Sequence, residues 1–190
     1  MRHPTSSGHA RLRHLFLAAA LGAGPLAAGA AGAQCAGVLR DGTFEAQTSA
    51  VVETPWIAEG RAGIDIGRGL AHAGRTNAWA RANTGWNAIR QPVRLIAGVT
   101  YTLRAWVRTS GNVRDGYFGF RNAAQRPVAE VKFGPLPAYS ELRVTFRPGV
   151  TGAYNVFSGF WAPSQDAWIQ VDDVSVTSPC NDTVQNPVDG

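Results

Sequence analysis

The chain has 190 residues, a mass of 20.2 kDa, 45% hydrophobic residues and 16% charged ones. That excludes a disordered acidic or basic tail and leaves room for one ordinary domain. Much of the formal net charge of +5 comes from residues 1–33, where Arg2, Arg11 and Arg13 meet no acid. Taking those three from 18 basic residues leaves 15 against 13 acidic ones, a net of +2. Such a balance gives no electrostatic footprint for nucleic acid.

The first element is an address. Arg2, Arg11 and Arg13 form a positive start, Leu15–Ala31 is apolar, and Ala31-Gly32-Ala33 is a small-residue cleavage pattern. Residues 1–33 therefore read as a secretory signal peptide. A membrane anchor is the competing reading, but the apolar run is broken by Gly22, Gly24, Pro25 and Gly29. Gln34 before Cys35 argues against a lipoprotein. The expected protein is secreted or periplasmic, with no membrane association after cleavage.

Export changes how the two cysteines read. Cys35 and Cys180 stand near the two ends of the exported part. In an oxidising compartment an even pair reads as a disulfide. It would tie the first strand to the last and contribute about 5 kcal/mol in the chain-entropy model. Metal chemistry of the Cys–His kind is excluded, because His72 is the one histidine after residue 33.

Glycine and proline punctuate the rest too densely for long helices. Tyr101, Leu103, Ala105 and Val107 alternate with Thr102, Arg104, Trp106 and Arg108. Phe118 and Phe120 alternate with Tyr117, Gly119 and Arg121, and Leu142, Val144 and Phe146 with Arg143, Thr145 and Arg147. Period two predicts half-buried antiparallel strands. Ser164–Ser178, free of glycine and proline, is rich in Val, Ile, Thr and Trp. It predicts a final strand. The fold class is all-β, a jelly-roll β-sandwich of two antiparallel sheets, with about eight to ten strands. The domain spans 34–178, and 179–190 reads as a polar tail.

The final strand changes phase. Ile169 and Val171 are apolar on one parity, Val174 and Val176 on the other. A flat strand cannot bury both pairs on one face. One extra residue at Asp172-Asp173, a β-bulge, restores the phase. The two acids are either an exposed edge device or have a positive group beside them.

Six blocks in order carry a family resemblance. They are Gly42-Thr43-Phe44-Glu45, Ala71–Gly74 with Asn77-Ala78-Trp79, Ala97–Arg108, Phe118–Arg121, Val144–Phe146 and Val171–Val176. Together the chain resembles carbohydrate-binding modules of the cellulase-associated type, families four, nine and twenty-two. The resemblance implies a jelly roll with a structural Ca²⁺ ion, held by Glu45, Asp172 and backbone carbonyls, apart from any ligand. Hard oxygen ligands suit that ion.

The resemblance also implies a function: a non-catalytic module that binds a polysaccharide or oligosaccharide, as a monomer. Sugar rings stack their C–H faces on aromatic rings, and their hydroxyls need planar polar groups. Trp86 follows a glycine turn and is the leading candidate, expected to be exposed. Arg104 and Trp106 share a strand face that is either the binding groove or a convex solvated surface. Tyr117 and Arg121 line up on their own strand, and Trp161 sits at a loop tip. Trp56 and Trp79 read as core, Trp168 as structural. Asp65 reads as a turn residue.

Glycoside hydrolysis needs two flanking carboxylates, and Glu45 and Asp172 are already assigned. A small polysaccharide-degrading enzyme built on a Tyr–His or Tyr–Arg pair is one alternative. An exported structural or adhesion module without glycan binding is the other.

Overall fold

The strand Tyr101–Thr109 buries Tyr101, Leu103, Ala105 and Val107 and turns Arg104, Trp106 and Arg108 outward. The period-two alternation thus sets which side chains meet the core. In the computed structural model, residues 38–179 and the backbone of 34–36 are described. The strands are β1 (Gln34–Ala36), β2 (Ile57–Glu59), β3 (Ala62–Ile66), β4 (Thr76–Ala82), β5 (Trp86–Leu95) and β6 (Tyr101–Thr109). They continue with β7 (Asp115–Asn122), β8 (Pro127–Phe133), β9 (Ser140–Phe146), β10 (Gly152–Trp161) and β11 (Ala167–Pro179). The expected signal peptide of residues 1–33, Cys180 and most of the expected 179–190 tail lie outside the described residues.

Two antiparallel sheets face each other. The first has the order β3-β4-β11-β6-β9, with β1 pairing the end of β11. The second has the order β2-β5-β10-β7-β8. Phe118 and Phe120 of β7, Val156 and Phe160 of β10, and Leu103 and Ile169 of the first sheet fill the space between. Truncating one of those phenylalanines to alanine would cost about 3–5 kcal/mol. The chain is an all-β jelly-roll sandwich, with one strand more than the sequence reading allowed. The excess comes from the three-residue β1 and β2, too short for a visible alternation.

The phase change in β11 is a bulge. Asp172 pairs with Trp106 and Ser175 with Arg104, so β11 spends one residue more than β6 over that interval. Asp173 takes the strain at φ 48°. Ile169, Val171, Val174 and Val176 are then all buried. β1 pairs antiparallel with the end of β11, Cys35 opposite Ser178. The first and last strands are therefore neighbours.

Candidate functional site

The outer face of the first sheet carries an open groove of about 460 Å³, walled by Trp79, Trp168 and Leu70 and floored by Asp65, Gln170 and Arg108. Strand register builds it. Gly63 of β3 pairs with Trp79 of β4, Trp79 with Gln170 of β11, and Gln170 with Arg108 of β6. One row of paired residues thus crosses four strands, with side chains from Trp79, Gln170 and Arg108 on one face. Ala78 and Ala80, alternating with Trp79, point into the core.

Gly63 shapes one end. A Cβ there would lie 2.4 Å from Cζ2 of Trp79 and 2.8 Å from the carbonyl oxygen of Ala50. The indole therefore lies directly over the glycine backbone. Trp79 and Trp168, read from sequence as core and structural, are half-buried groove walls. The β4 alternation of alanine with Trp79 and Arg81 was the available signal. Trp56 is core as expected, its indole N–H donating to the Asp41 carbonyl at 2.8 Å.

The floor is a chain of planar polar groups. Gln170 Nε2 donates to Asp65 Oδ2 at 3.1 Å, and Arg108 Nε donates to Gln170 Oε1. Arg68 sits 3.5 Å from the other Asp65 oxygen. Asp65 is thus a buried β3 residue rather than a turn residue. Arg108 Nη2 donates to the Leu70 carbonyl at 3.2 Å, and its guanidinium lies 4.9 Å over the Tyr139 ring. Guanidinium and amide planes fixed in this way still have donor positions to offer a ligand. Among the described residues, Asp65 is the one carboxylate lining the groove.

Tyr139 lies outside the groove lining and backs Leu70 and Arg108. Its hydroxyl donates to the Leu70 carbonyl at 2.9 Å. Burial raises its pKa, outweighing the nearby charge of Arg108. The phenol is therefore held protonated across the neutral range, which suits a hydrogen-bond donor and not a general base.

Six residues stood out in the sequence as ligand contacts, and the fold divides them between opposite faces. Arg104 and Trp106 lie on the first sheet, beside the groove but not in its lining. Arg104 is ion-paired with Glu141 at 3.0 Å. Trp106 is covered by the His72 imidazole, stacked at 4.1 Å and 11°. Trp86, Tyr117, Arg121 and Trp161 meet on the second sheet's outer face, with Phe157. Trp86 is half-buried rather than exposed, because its indole N–H donates to Glu59 Oε2 at 2.7 Å.

The segment that walls the groove, between β3 and β4, is held by two carboxylates. Glu45 Oε1 accepts the amides of Arg75 and Thr76, each at 2.8 Å. Asp172 Oδ2 accepts those of His72 and Ala73 at 2.8 and 3.2 Å, and its Oδ1 accepts Asp173 N–H at 2.7 Å. Asp173 Oδ2 takes His72 Nδ1–H at 2.6 Å. Gly74, at φ 66°, has room for no side chain, since its Cβ would lie 2.4 Å from Glu45 Oε1. Burial pushes the Asp172 carboxyl up to about 6, against the lowering effect of those amides.

These oxygens match a Ca²⁺ ion in kind, but amides already engage three of the four carboxylate oxygens. Glu45 Oε2 has no hydrogen-bond partner among the described residues. Nor do three His, Cys, Asp or Glu side chains gather as metal ligands among them.

The same two-sheet sandwich recurs in solved structures. The TmCBM61 module, solved with β-1,4-galactotriose, superposes with a TM-score of 0.54 at 17% identity, over 73% of this chain and 96% of that one. The fold is shared with carbohydrate-binding modules. It is not confined to them. The cyclase Fisc from Fischerella sp. TAU superposes with a TM-score of 0.59 at 13% identity, over 78% of this chain and all of that one. An arabinose-bound MgGH51 α-L-arabinofuranosidase gives 0.59 at 12% identity over 76% of this chain, which spans 26% of that enzyme. No family model matches the sequence, and no curated protein matches it. At such identities the sandwich is shared, and carbohydrate-binding modules and enzymes both use it. Among the described residues, no helix is long and apolar enough to cross a membrane.

Proposed function

We propose that this protein is a non-catalytic glycan-binding module and that its ligand lies in the first-sheet groove. The single observation that carries this is the row Gly63–Trp79–Gln170–Arg108 across four strands. An indole set beside a line of fixed amide, carboxylate and guanidinium groups meets both demands of a sugar: an apolar C–H face and in-plane hydroxyls. The groove is open, about 460 Å³, which falls in the range of small-ligand sites and admits a chain passing through. Arg104 and Trp106 then act from beside the groove, Trp106 by supporting His72 and with it the groove wall.

The non-catalytic part rests on the side chains present. Among the described residues one carboxylate, Asp65, lines the groove, where glycoside hydrolysis uses two. The Tyr139 phenol is engaged by the Leu70 carbonyl, and His72 is stacked on Trp106 and bound to Asp173. A Tyr–His or Tyr–Arg lyase would need that phenol free to move a proton. Incubation with soluble xylan, galactan and hydroxyethylcellulose tests this: release of reducing ends or unsaturated products would overturn it.

The proposal includes export by the residue 1–33 signal, a monomeric mature protein, and a disulfide between Cys35 and Cys180. The pairing of Cys35 with Ser178 supports the last, because it sets Cys35 beside the strand that runs toward Cys180. A Ca²⁺ ion held by Glu45 and Asp172 is also proposed. Bound there, it would neutralise buried carboxylate charge and brace the groove wall. Affinity electrophoresis against the same three polysaccharides tests the central claim, with Trp79→Ala as the control. Retardation lost in Trp79→Ala is the expected result; equal retardation of both proteins would move the ligand elsewhere.

A further inference from the structure

We propose that the glycan taken by the first-sheet groove is an acidic one, whose sugars carry uronate carboxylates, and that the groove prefers it to the neutral chain of the same backbone. This rests on the groove reading above and adds the class of ligand.

Two rows of residues meet in the groove. Beside the row Gly63–Trp79–Gln170–Arg108 runs another, two residues along each strand. The Arg61 carbonyl accepts the Arg81 amide at 3.0 Å, and Arg81 pairs with Trp168. At the strand rise of about 3.3 Å per residue, the rows stand about 7 Å apart. The lining holds four arginines, Arg61, Arg68, Arg81 and Arg108, against the one carboxylate of Asp65, a net of +3 among the described residues. All of residues 34–190 together carry only +2. The positive charge is therefore gathered here.

Counter-ions cover half of these arginines. Arg68 faces Asp65 at 3.5 Å, and Asp166, outside the lining, accepts Arg81 Nε–H at 2.9 Å and also bonds its Nη2. Arg61 and Arg108 are left. Asp166 feels the Arg61 charge, but the Arg61 side chain has no hydrogen bond or ion pair among the described residues. Arg108 is half-buried, and Gln170 stands between it and Asp65. Its acceptors, Gln170 and the Leu70 carbonyl, are neutral. On the opposite sheet, by contrast, Glu59 pairs with both Arg90 and Arg121. A half-buried cation without a counter-ion is costly, and an anionic ligand would supply the missing charge.

The unmatched polar groups of the groove are donors. The indole N–H groups of Trp79 and Trp168, the Arg61 fork and Arg108 Nη1 have no partner among the described residues. Both Asp65 oxygens and both ends of the Gln170 amide are engaged. A sugar hydroxyl brings a proton that needs an acceptor, whereas a carboxylate only accepts. A guanidinium can also hold both carboxylate oxygens through two parallel bonds. Arg108 lies beyond Gln170 in the Trp79 row and Arg61 in the adjacent one, so a ring stacked on Trp79 has one cation along its row and another across it.

Probes that differ only in charge test this. Isothermal titration compares oligogalacturonate with its methyl ester, and glucuronoxylan with its carboxyl-reduced form. The expected result is an acidic form bound about tenfold or more tighter than its neutral partner, because hydrogen bonds to charged groups are the stronger class. Added salt should narrow that ratio, since the groove is open to solvent. Arg61→Gln should lower the ratio severalfold at an unchanged melting temperature, because its side chain holds nothing in the protein. Trp79→Ala should weaken both members of a pair. Equal affinities within each pair, both lost in Trp79→Ala, overturn the acidic ligand and leave the groove. Binding indifferent to Trp79→Ala overturns the groove reading itself, and the acidic ligand with it. Dextran sulfate bound as tightly as the uronates would mean attraction to any polyanion, and would also overturn the proposal. So would wild type that binds neither acidic probe.

Discussion

Glu45 and Asp172, near opposite ends of the domain, close on the same stretch of backbone, His72 to Thr76, each accepting two adjacent amides. The stretch leads back to Leu70, whose carbonyl holds both Arg108 and Tyr139. The carboxylates that read as a structural pair in the sequence are thus one step from the proposed ligand. Removing one gives up two hydrogen bonds to exposed or part-buried amides, where water can take the carboxylate's place, at about 0.5–1.5 kcal/mol for each.

Asp172→Ala should therefore lower the melting temperature by several degrees and weaken glycan binding together, while Asp173→Ala should do less. Chelation separates the ion from the clamp. If Ca²⁺ is held here, EDTA lowers the wild-type melting temperature, because a ligand of the native state stabilises it, and has no effect on Asp172→Ala. An unchanged wild-type melt in EDTA means that the amides alone satisfy the carboxylates.

Gly63→Ala should damage binding while removing no polar side chain from the groove. The added methyl would enter the space of the Trp79 ring, 2.4 Å from Cζ2, and force the indole out of its position. Removing the ring, in Trp79→Ala, should abolish retardation altogether. Gly63→Ala should retain a weakened response at nearly unchanged secondary structure, read by circular dichroism. Full binding by Gly63→Ala would mean that the ligand does not depend on the Trp79 orientation.

The sandwich was legible because period two survives in β6, β7 and β9, and because the break at Asp172 could be converted into a bulge. The site was legible only in part. Alternation tells which side chains share a strand face, and it correctly set Tyr117 with Arg121 and Arg104 with Trp106. It does not tell which strands become neighbours, and neighbours decide the groove. β11 lies between β4 and β6, so Trp79, Gln170 and Arg108 align although they are far apart in sequence. Trp106 was lost as an open surface for a comparable reason: the covering His72 comes from a loop with no periodicity to read.

Arg108→Lys tests the planar part of the floor. Arginine meets Gln170 through Nε, Leu70 through Nη2 and the Tyr139 ring by its face. Lysine keeps the charge but has neither the fork nor the plane. Binding should fall about tenfold to a hundredfold, the equivalent of about 1.4–2.8 kcal/mol, with a small change in melting temperature. An unchanged dissociation constant would show that charge alone is used there.

Glu59 gives the second sheet a pH signature. Burial pushes its pKa up, but the hydrogen bonds from Trp86 and Arg121, with the charges of Arg121 and Arg90, together hold it below the usual carboxylate value. The native state then binds its proton less readily than the unfolded chain does. By linkage, the stability this contributes is fully present above the unfolded value, near 4.5, and is lost as pH falls through the lower native value. Wild type should lose melting temperature on acidification below about pH 4.5 more steeply than Glu59→Gln. The variant should be less stable at neutral pH, since an amide cannot ion-pair with both arginines, and the two curves should converge in acid. Other carboxyls titrate in both proteins, Asp172 among them, so the difference between the curves isolates Glu59. Parallel curves from neutral pH to pH 3 would mean that Glu59 is not held ionised by its arginines, and that the Trp86 indole N–H does not meet a charged acceptor.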